Sequence, residues 1–432
     1  MKFDRYYISA EIKKNLAQLG FNRPTDIQFK AIPSILNDED VLAIAQTGTG
    51  KTAAFAIPVI DKIHRMKSSS RSYGIKCIVM VPTRELALQI GEVFKSLSRH
   101  TKVKTFTLHG GVEQDGQISR LQDGIDVLIA TPGRMFDLIN QEVIRLGAVN
   151  TLVLDEADHM LDLGFIEDIR YIKKMLTQRH QTLFFSATLN DGIRKLAYSQ
   201  VKSAAIRIQI SPKDPVSKNV SHFVSYVEMD DKRFFLENFI RENPESRIIV
   251  FVRTRVRAER VARAMERAGI NSLAIHGEKD QQQRTESMQQ FRDGVCNILI
   301  ATDVSARGID VPDVNYVINY DLPEKCENYV HRVGRTGRGV KRGTAISLCS
   351  QEERELLTEI EAFLNKPIEV MKAGKTGYAQ AAEAPGVDAP EKAKESLRAL
   401  VAEHDAWLNR SGAKKRKPKK SKKQKQITGK QP

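Results

Sequence analysis

Lys51 and Thr52 close the stretch Ala45-Gln46-Thr47-Gly48-Thr49-Gly50-Lys51-Thr52. An ammonium and a hydroxyl directly after two glycines suit a chain of phosphates. Glycines let backbone N–H groups converge on phosphate oxygens, and the free N–H groups at a helix start add a positive end. In that arrangement Lys51 would reach the β- and γ-phosphates, and the Thr52 hydroxyl would bind Mg²⁺. A second group of reactive side chains is Asp155-Glu156-Ala157-Asp158. Two adjacent carboxylates suit Mg²⁺ and water handling. Alone, the tetrad reads equally as a solvated acidic turn.

Both groups need elements that hold them. Val41 to Ile44 reads as a buried parallel strand and Ala53 to Ile57 as the first turns of a helix. The loop is therefore a strand-to-helix turn. Thr151 to Leu154 is an apolar strand that ends at Asp155, and strand C-termini are where open α/β sheets bind ligands. Further apolar runs at Cys77 to Val81, Thr105 to Leu108, Val127 to Ala130 and Leu183 to Phe185 leave room for crossover helices. That alternation predicts a parallel α/β sheet. Ser9 is a plausible N-cap for a helix over Ala10 to Leu19, stopped by Gly20. Pro58 falls inside the helix after the loop, where local rules predict a kink that the helix survives.

Pro212 to Asn219 reads as a linker. The strand series then restarts at His222 to Val227, Ile248 to Val252, Leu273 to Ile275, Ile298 to Ile300, Tyr316 to Ile318 and Ala345 to Leu348. Phe106 to Gly111 echoes Leu273 to Glu278, and Asp126 to Thr131 echoes Asn297 to Thr302, at offsets of 167 and 171 residues. The echo suggests two copies of one fold. The second half has no Gly-Lys-Thr loop, so one nucleotide site is expected. The expected division is residues 1–209, a linker over 210–220, a second domain over 221–372, and a linker, short helix and tail over 373–432.

The net charge is +15, of which Ser411 to Pro432 supplies nine lysines and one arginine with no acid. That tail reads as disordered, and a polyanion, nucleic acid first, is the expected partner. It reads as a tether that concentrates nucleic acid in preference to a solubilising end. Cys77, Cys296, Cys326 and Cys349 form no CxxC pair and read as reduced thiols. No apolar signal core opens the chain and no run reaches about 18 residues, so no membrane partner and a cytoplasmic location are expected.

Together these residues resemble the DEAD-box family of ATP-dependent RNA helicases, and within it the compact bacterial RhlE-like type. The resemblance covers roughly residues 1 to 370 and implies two tandem RecA-like domains joined by a short linker. Ala45 stands where a glycine is commoner, Asp26 where a proline is, and Ser305 where an alanine is. Phe3, Gly20-Phe21 and Pro24 to Gln28 match the family's adenine-binding motif, so the resemblance implies that Gln28 reads the adenine edge and Phe3 stacks on the base, near Phe21. Ala45, Gln46, Thr47, Gly48, Thr49, Gly50, Lys51, Thr52 and Asp310 would complete the ATP contacts. Asp155 would hold Mg²⁺ through water, with Thr52, and Glu156 would position the attacking water. Arg335 and Arg338 would act as arginine fingers from the second domain.

Ser186, Thr188, Asp158 and His331 would couple hydrolysis to unwinding. RNA contacts are implied for Pro82, Thr83, Arg84, Gly110, Gly111, Thr131, Pro132, Gly133 and Arg134 in the first domain. In the second they are implied for Arg253, Thr254, Gln281, Arg284, Thr302 and Asp303. These types supply phosphate and 2′-OH contacts and no base-stacking platform. The implied function is RNA-stimulated ATP hydrolysis that locally separates short duplexes or remodels RNA–protein complexes, with ribosome-assembly or RNA-decay proteins as candidate partners. An ATP-gated RNA clamp is the alternative. A DNA helicase is disfavoured by the adenine motif and the acidic tetrad together.

Overall fold

The computed structural model describes residues 2–46, 48–69, 73–210, 216, 219–306, 311, 313–337 and 341–371. Most of the expected linker, all of the expected tail, and Thr47, Asp310 and Arg338 lie outside the described residues. The first sheet contains β1 (Val41–Ala45), β2 (Cys77–Met80), β3 (Thr105–Leu108), β4 (Val127–Ala130), β5 (Thr151–Leu154), β6 (Gln181–Ser186) and β7 (Ile206–Ile210). The second contains β8 (Val220–Tyr226), β9 (Ile248–Phe251), β10 (Leu273–Ile275), β11 (Ile298–Ala301), β12 (Tyr316–Asn319), β13 (Gly343–Cys349) and β14 (Glu369–Val370).

Both sheets are parallel throughout. The first runs β3-β4-β2-β5-β6-β1-β7 and the second β10-β11-β9-β12-β13-β8-β14. Adding seven to each strand of the first order gives the second. The echoed segments fall on equivalent strands, β3 with β10 and β4 with β11, so the repeat heard in the sequence is a repeat of topology. Both sheets belong to one compact unit that ends at Met371.

The strands β1, β2, β4, β9 and β11 are apolar without interruption because helices cover both faces of the sheet. Successive side chains point to opposite faces. Phe184 accordingly joins the core on one side of the first sheet and Phe185 the core on the other. Phe185 meets Phe55 with ring centres 5.1 Å apart, which seats the helix Lys51–Ser69 on the sheet. Full burial of each such side chain stabilises the fold by roughly 1.5–3 kcal/mol. That packing carries the helix through Pro58 for 19 residues, as expected. The strands β7 and β14 were not anticipated. Both are edge strands; β7 alternates as Ile206-Arg207-Ile208-Gln209-Ile210, and β14 has only two residues.

Candidate active site

The turn between β1 and the helix Lys51–Ser69 lines a cavity of about 270 Å³ through Gly48, Gly50, Lys51 and Thr52. Gly48 and Gly50 have φ of +78° and +91°, a region that side chains disfavour. At Gly50 the approach is also close, since an added Cβ would lie 2.5 Å from Gln28 Nε2. Ala45 ends β1 inside the core, and Thr49 Oγ1 donates to the Gln46 carbonyl at 2.7 Å, which tightens the turn. Lys51 is 7% exposed, and its Nζ is buried without a hydrogen-bond partner. A buried ammonium with no acceptor is costly. An anion in the cavity would supply a partner.

Gln28 lines the same cavity. Its Oε1 accepts from Thr25 N at 3.0 Å and its Nε2 donates to Gly50 O at 3.2 Å, so it ties the loop to the helix Asp26–Leu36. One amide donor and one acceptor lone pair remain for a base edge. The placement of Phe3 departs from expectation. Phe3 is buried and packs edge-on against Phe21 at 6.3 Å, and it is Phe21 that lines the cavity. Phe3 thus packs behind the ring that lines the cavity. Leu86, Gln89 and Val93 complete this wall from the helix Arg84–Leu97. The sequence reading missed them, although their spacing of three and four residues marks one helix face.

Asp155 and Glu156 follow β5 and line the cavity opposite Lys51. Burial pushes the Asp155 carboxyl up to about 6, with the Lys51 charge opposing and Glu156 and Asp158 adding. Burial also acts to raise Glu156, but the hydrogen bond and charge of His159, with Lys51 and Arg335, outweigh it and hold Glu156 down to about 2. His159 Nδ1 lies 3.4 Å from Glu156 Oε2. Neighbouring carboxylates driven apart in this way mark a chemical site more than a structural ion pair. Glu156 also adopts a left-handed backbone, φ +51°, which costs a non-glycine residue free energy and aims its side chain.

Asp158 turns away from the cavity. Its Oδ2 accepts from Ala187 N, Thr188 N and Thr188 Oγ1 at 3.0–3.1 Å, while Ser186 Oγ donates to Thr188 O at 2.8 Å. The end of β6 is thereby fastened to the acidic tetrad at the end of β5.

The second lobe closes the cavity with Arg335, 5% exposed, whose Nε donates to His331 O at 3.0 Å. Two ion pairs join the lobes nearby, Arg284 to Glu85 at 2.6 Å and Lys325 to Asp162 at 2.7 Å. Arg284, expected on RNA, is thus engaged with a carboxylate across the cleft.

The remaining RNA candidates gather where strands end and helices begin. Thr83 Oγ1 accepts from Leu86 N and Thr254 Oγ1 from Arg257 N, each capping a helix. Thr131 precedes the helix Pro132–Asn140, so Pro132 and Gly133 form its first turn. Pro82 is buried behind Thr83. The Arg84 guanidinium lies against Gly110, where a Cβ would approach it to 3.2 Å, and Gly111 takes φ +77°. Arg134 donates to Gln117 Oε1 and Val112 O, which orients its fork. Gln281 opens the helix Gln281–Arg292. Arg253 Nη2 pairs with Glu353 at 3.2 Å. Thr302 Oγ1 is 2.9 Å from the Ser305 hydroxyl, which donates to Ile275 O at 2.8 Å. The unexpected serine therefore braces Thr302. The Asp303 carboxylate is held bidentately by Arg332 and so braces the loop, while its residue opens the helix Asp303–Ala306. Because β2 and β9 are equivalent, as are β4 and β11, Thr83 matches Thr254 and Thr131 matches Thr302.

The same equivalence explains the single nucleotide site. β8 takes the place of β1, and the helix after it, Lys232–Glu242, also begins with lysine. The connecting turn, Glu228 to Asp231, is acidic and has no glycine. Lys232 is wholly buried, donates to Tyr320 O at 2.7 Å and pairs with Glu353. Lys51 Nζ has no hydrogen-bond partner, whereas Lys232 has internal carboxylates.

Comparison with known proteins agrees with this geometry. The family model for the DEAD/DEAH box helicase matches residues 25–196, and the helicase conserved C-terminal domain matches 231–340. The DEAD-box ATP-dependent RNA helicase CshA of Bacillus subtilis (strain 168) is 37% identical over 372 residues, spanning 86% of this chain and 74% of the relative. The ATP-dependent RNA helicase RhlB of Shewanella oneidensis is 39% identical over 376 residues, 85% of each chain. Among solved structures, S. cerevisiae Dbp5 bound to RNA and ADP BeF3 superposes with a TM-score of 0.78 at 28% identity, covering 88% of this chain and 98% of that one. Mss116p bound to ssRNA and AMP-PNP does so with a TM-score of 0.79 at 28% identity, covering 94% and 86%. With both lobes matched and relatives above a third identical over about 85% of this chain, the chain belongs to the family of DEAD-box ATP-dependent RNA helicases and is an ATP-hydrolysing enzyme.

Proposed function

We propose that this chain binds ATP in the cavity between its lobes and RNA across the helix N-termini at the strand ends, and that each ATP cycle locally separates a short RNA duplex. One observation carries the reading. A single cavity brings together the partnerless ammonium of Lys51, the carboxylates Asp155 and Glu156, and Arg335 from the other lobe. Phosphoryl transfer needs positioning and charge stabilisation more than covalent help, and these residues divide that work. Lys51 and the loop N–H groups hold the phosphates. Thr52 and Asp155 are the residues that would hold Mg²⁺, which neutralises phosphate charge when bound. Glu156, kept ionised, orients the attacking water by accepting its hydrogen bond. Arg335 stabilises the charge that develops on the transferred group.

RNA enters the scheme through closure. Thr83 and Thr131 lie on one lobe and Thr254 and Thr302 on the other, so a strand bound to all four holds the lobes together. The Asp158 bonds to Thr188 give the nucleotide site a rigid path toward that face. Backbone contacts position without reading sequence, so the proposed substrate is structured RNA of any sequence. Displacement of a short duplex strand tests this, with ATP and with a non-hydrolysable analogue. Lys51→Ala and Glu156→Gln are expected to abolish RNA-stimulated turnover and multiple-round displacement together. Near-normal turnover in either variant overturns the site assignment; turnover without displacement in the unaltered chain favours the clamp.

A further inference from the structure

The second lobe carries a cationic groove with no role in the scheme above. The helix Arg255–Arg267 is the counterpart of Arg84–Leu97, and each begins after a capping threonine, Thr254 or Thr83. Counting from those caps, Leu86, Gln89 and Val93 correspond to Arg257, Arg260 and Ala264. The first three line the nucleotide cavity. Their counterparts line a groove of about 700 Å³ between this helix and the start of Lys232–Glu242. The second lobe has therefore kept the hollow and changed its wall from largely apolar to cationic.

Arg255 and Arg257 already have carboxylate partners, Glu278 and Asp321. Among the described residues Arg260, Arg263 and Arg267 are exposed and make no ion pair or hydrogen bond, although the Arg263 charge acts on Glu259 one turn before it. Steps of three and four residues place them along one face of the helix. From Thr254 to Arg267 that face runs about 20 Å at 1.5 Å per residue. Thr254 lines the mouth of the groove, so the stripe begins on the proposed RNA face. Phe234, 44% exposed, offers a ring on the same groove, with the Arg233 guanidinium over it. Asp230 and Asp231 of the acidic turn also line the groove. Those carboxylates oppose a compact polyphosphate filling the hollow. They leave room for a strand whose phosphates follow the arginines.

We infer that Arg260, Arg263 and Arg267 form an RNA track outside the cleft, which takes the phosphates of single-stranded RNA that continues past Thr254. Guanidinium forks suit phosphate oxygens. The inference rests on the proposed RNA face and adds a second, length-dependent contact to it. The test compares the full chain with its triple variant Arg260→Gln, Arg263→Gln, Arg267→Gln, by fluorescence anisotropy with RNAs from about 6 to about 30 nucleotides at several salt concentrations. The tail is present in both proteins and cancels. The shortest RNAs that stimulate ATP turnover are expected to bind and stimulate both proteins alike. For long RNAs the variant's Kd is expected to rise about tenfold and its salt slope to fall by about 2. Matching affinity and slope at every length overturns the track, which is also the result if the stripe serves an acidic protein. An equal loss at every length, with an unchanged melting curve, also overturns it, because the arginines would then act in the cleft. If the unaltered chain fails to bind even long RNA, the RNA reading itself falls.

Discussion

Asp155 lies buried among Lys51, Glu156 and Asp158, and burial holds its carboxyl at about 6 where the unfolded chain has 3.8. At neutral pH the ionised form therefore costs the fold on the order of 3 kcal/mol. Because the folded value lies above the unfolded one, that cost is present above pH 6 and is relieved as pH falls from 6 toward 3.8. Asp155→Asn keeps an acceptor for the Glu156 N–H and removes the charge. In nucleotide-free, Mg²⁺-free buffer it is expected to melt a few degrees above the unaltered chain at pH 7.5, with the gap closing near pH 4, while ATP turnover is lost. Equal melting temperatures at pH 7.5 would show that the carboxylate is not strained by burial. The order Gly-Lys-Thr was legible because phosphate chemistry constrains it. The choice between Phe3 and Phe21 was not, since it depends on which ring the core buries. Nor were the ionic partners of Arg284 and Asp303, Glu85 and Arg332, which only the fold brings close.

At the scale of elements, the strands were legible because a parallel sheet covered on both faces demands unbroken apolar runs. The edge strand β7 escaped because one half of it faces solvent, so it alternates. The repeated topology was audible in β3 and β4 and their counterparts but gave no hint of how the second lobe closed its own phosphate turn. Lys232 does this: burial lowers its pKa, and Glu353 and Asp321 oppose that shift. Removing one member of a buried ionic cluster leaves charges unpaired and costs roughly 3–5 kcal/mol. Lys232→Met is accordingly expected to destabilise the second lobe in a thermal melt, while the affinity of the chain for an ATP analogue is retained. Unaltered melting would mean that the lysine does not seal the turn.

For the whole molecule, the cavity of the proposed active site is lined from both lobes. Lys51, Asp155 and Glu156 come from the first sheet and Arg335 from the second, and the pairs Arg284–Glu85 and Lys325–Asp162 hold the lobes across the same cleft. In the proposed scheme closure would be the step that RNA and ATP share, each favouring binding of the other by favouring the same closed state. Single-turnover ATP hydrolysis by Arg335→Ala at saturating RNA tests this most directly. The rate is expected to fall by about 10³, as for other arginine fingers, with ATP still bound and the fold intact. An unchanged rate would show that the first lobe completes the chemistry by itself.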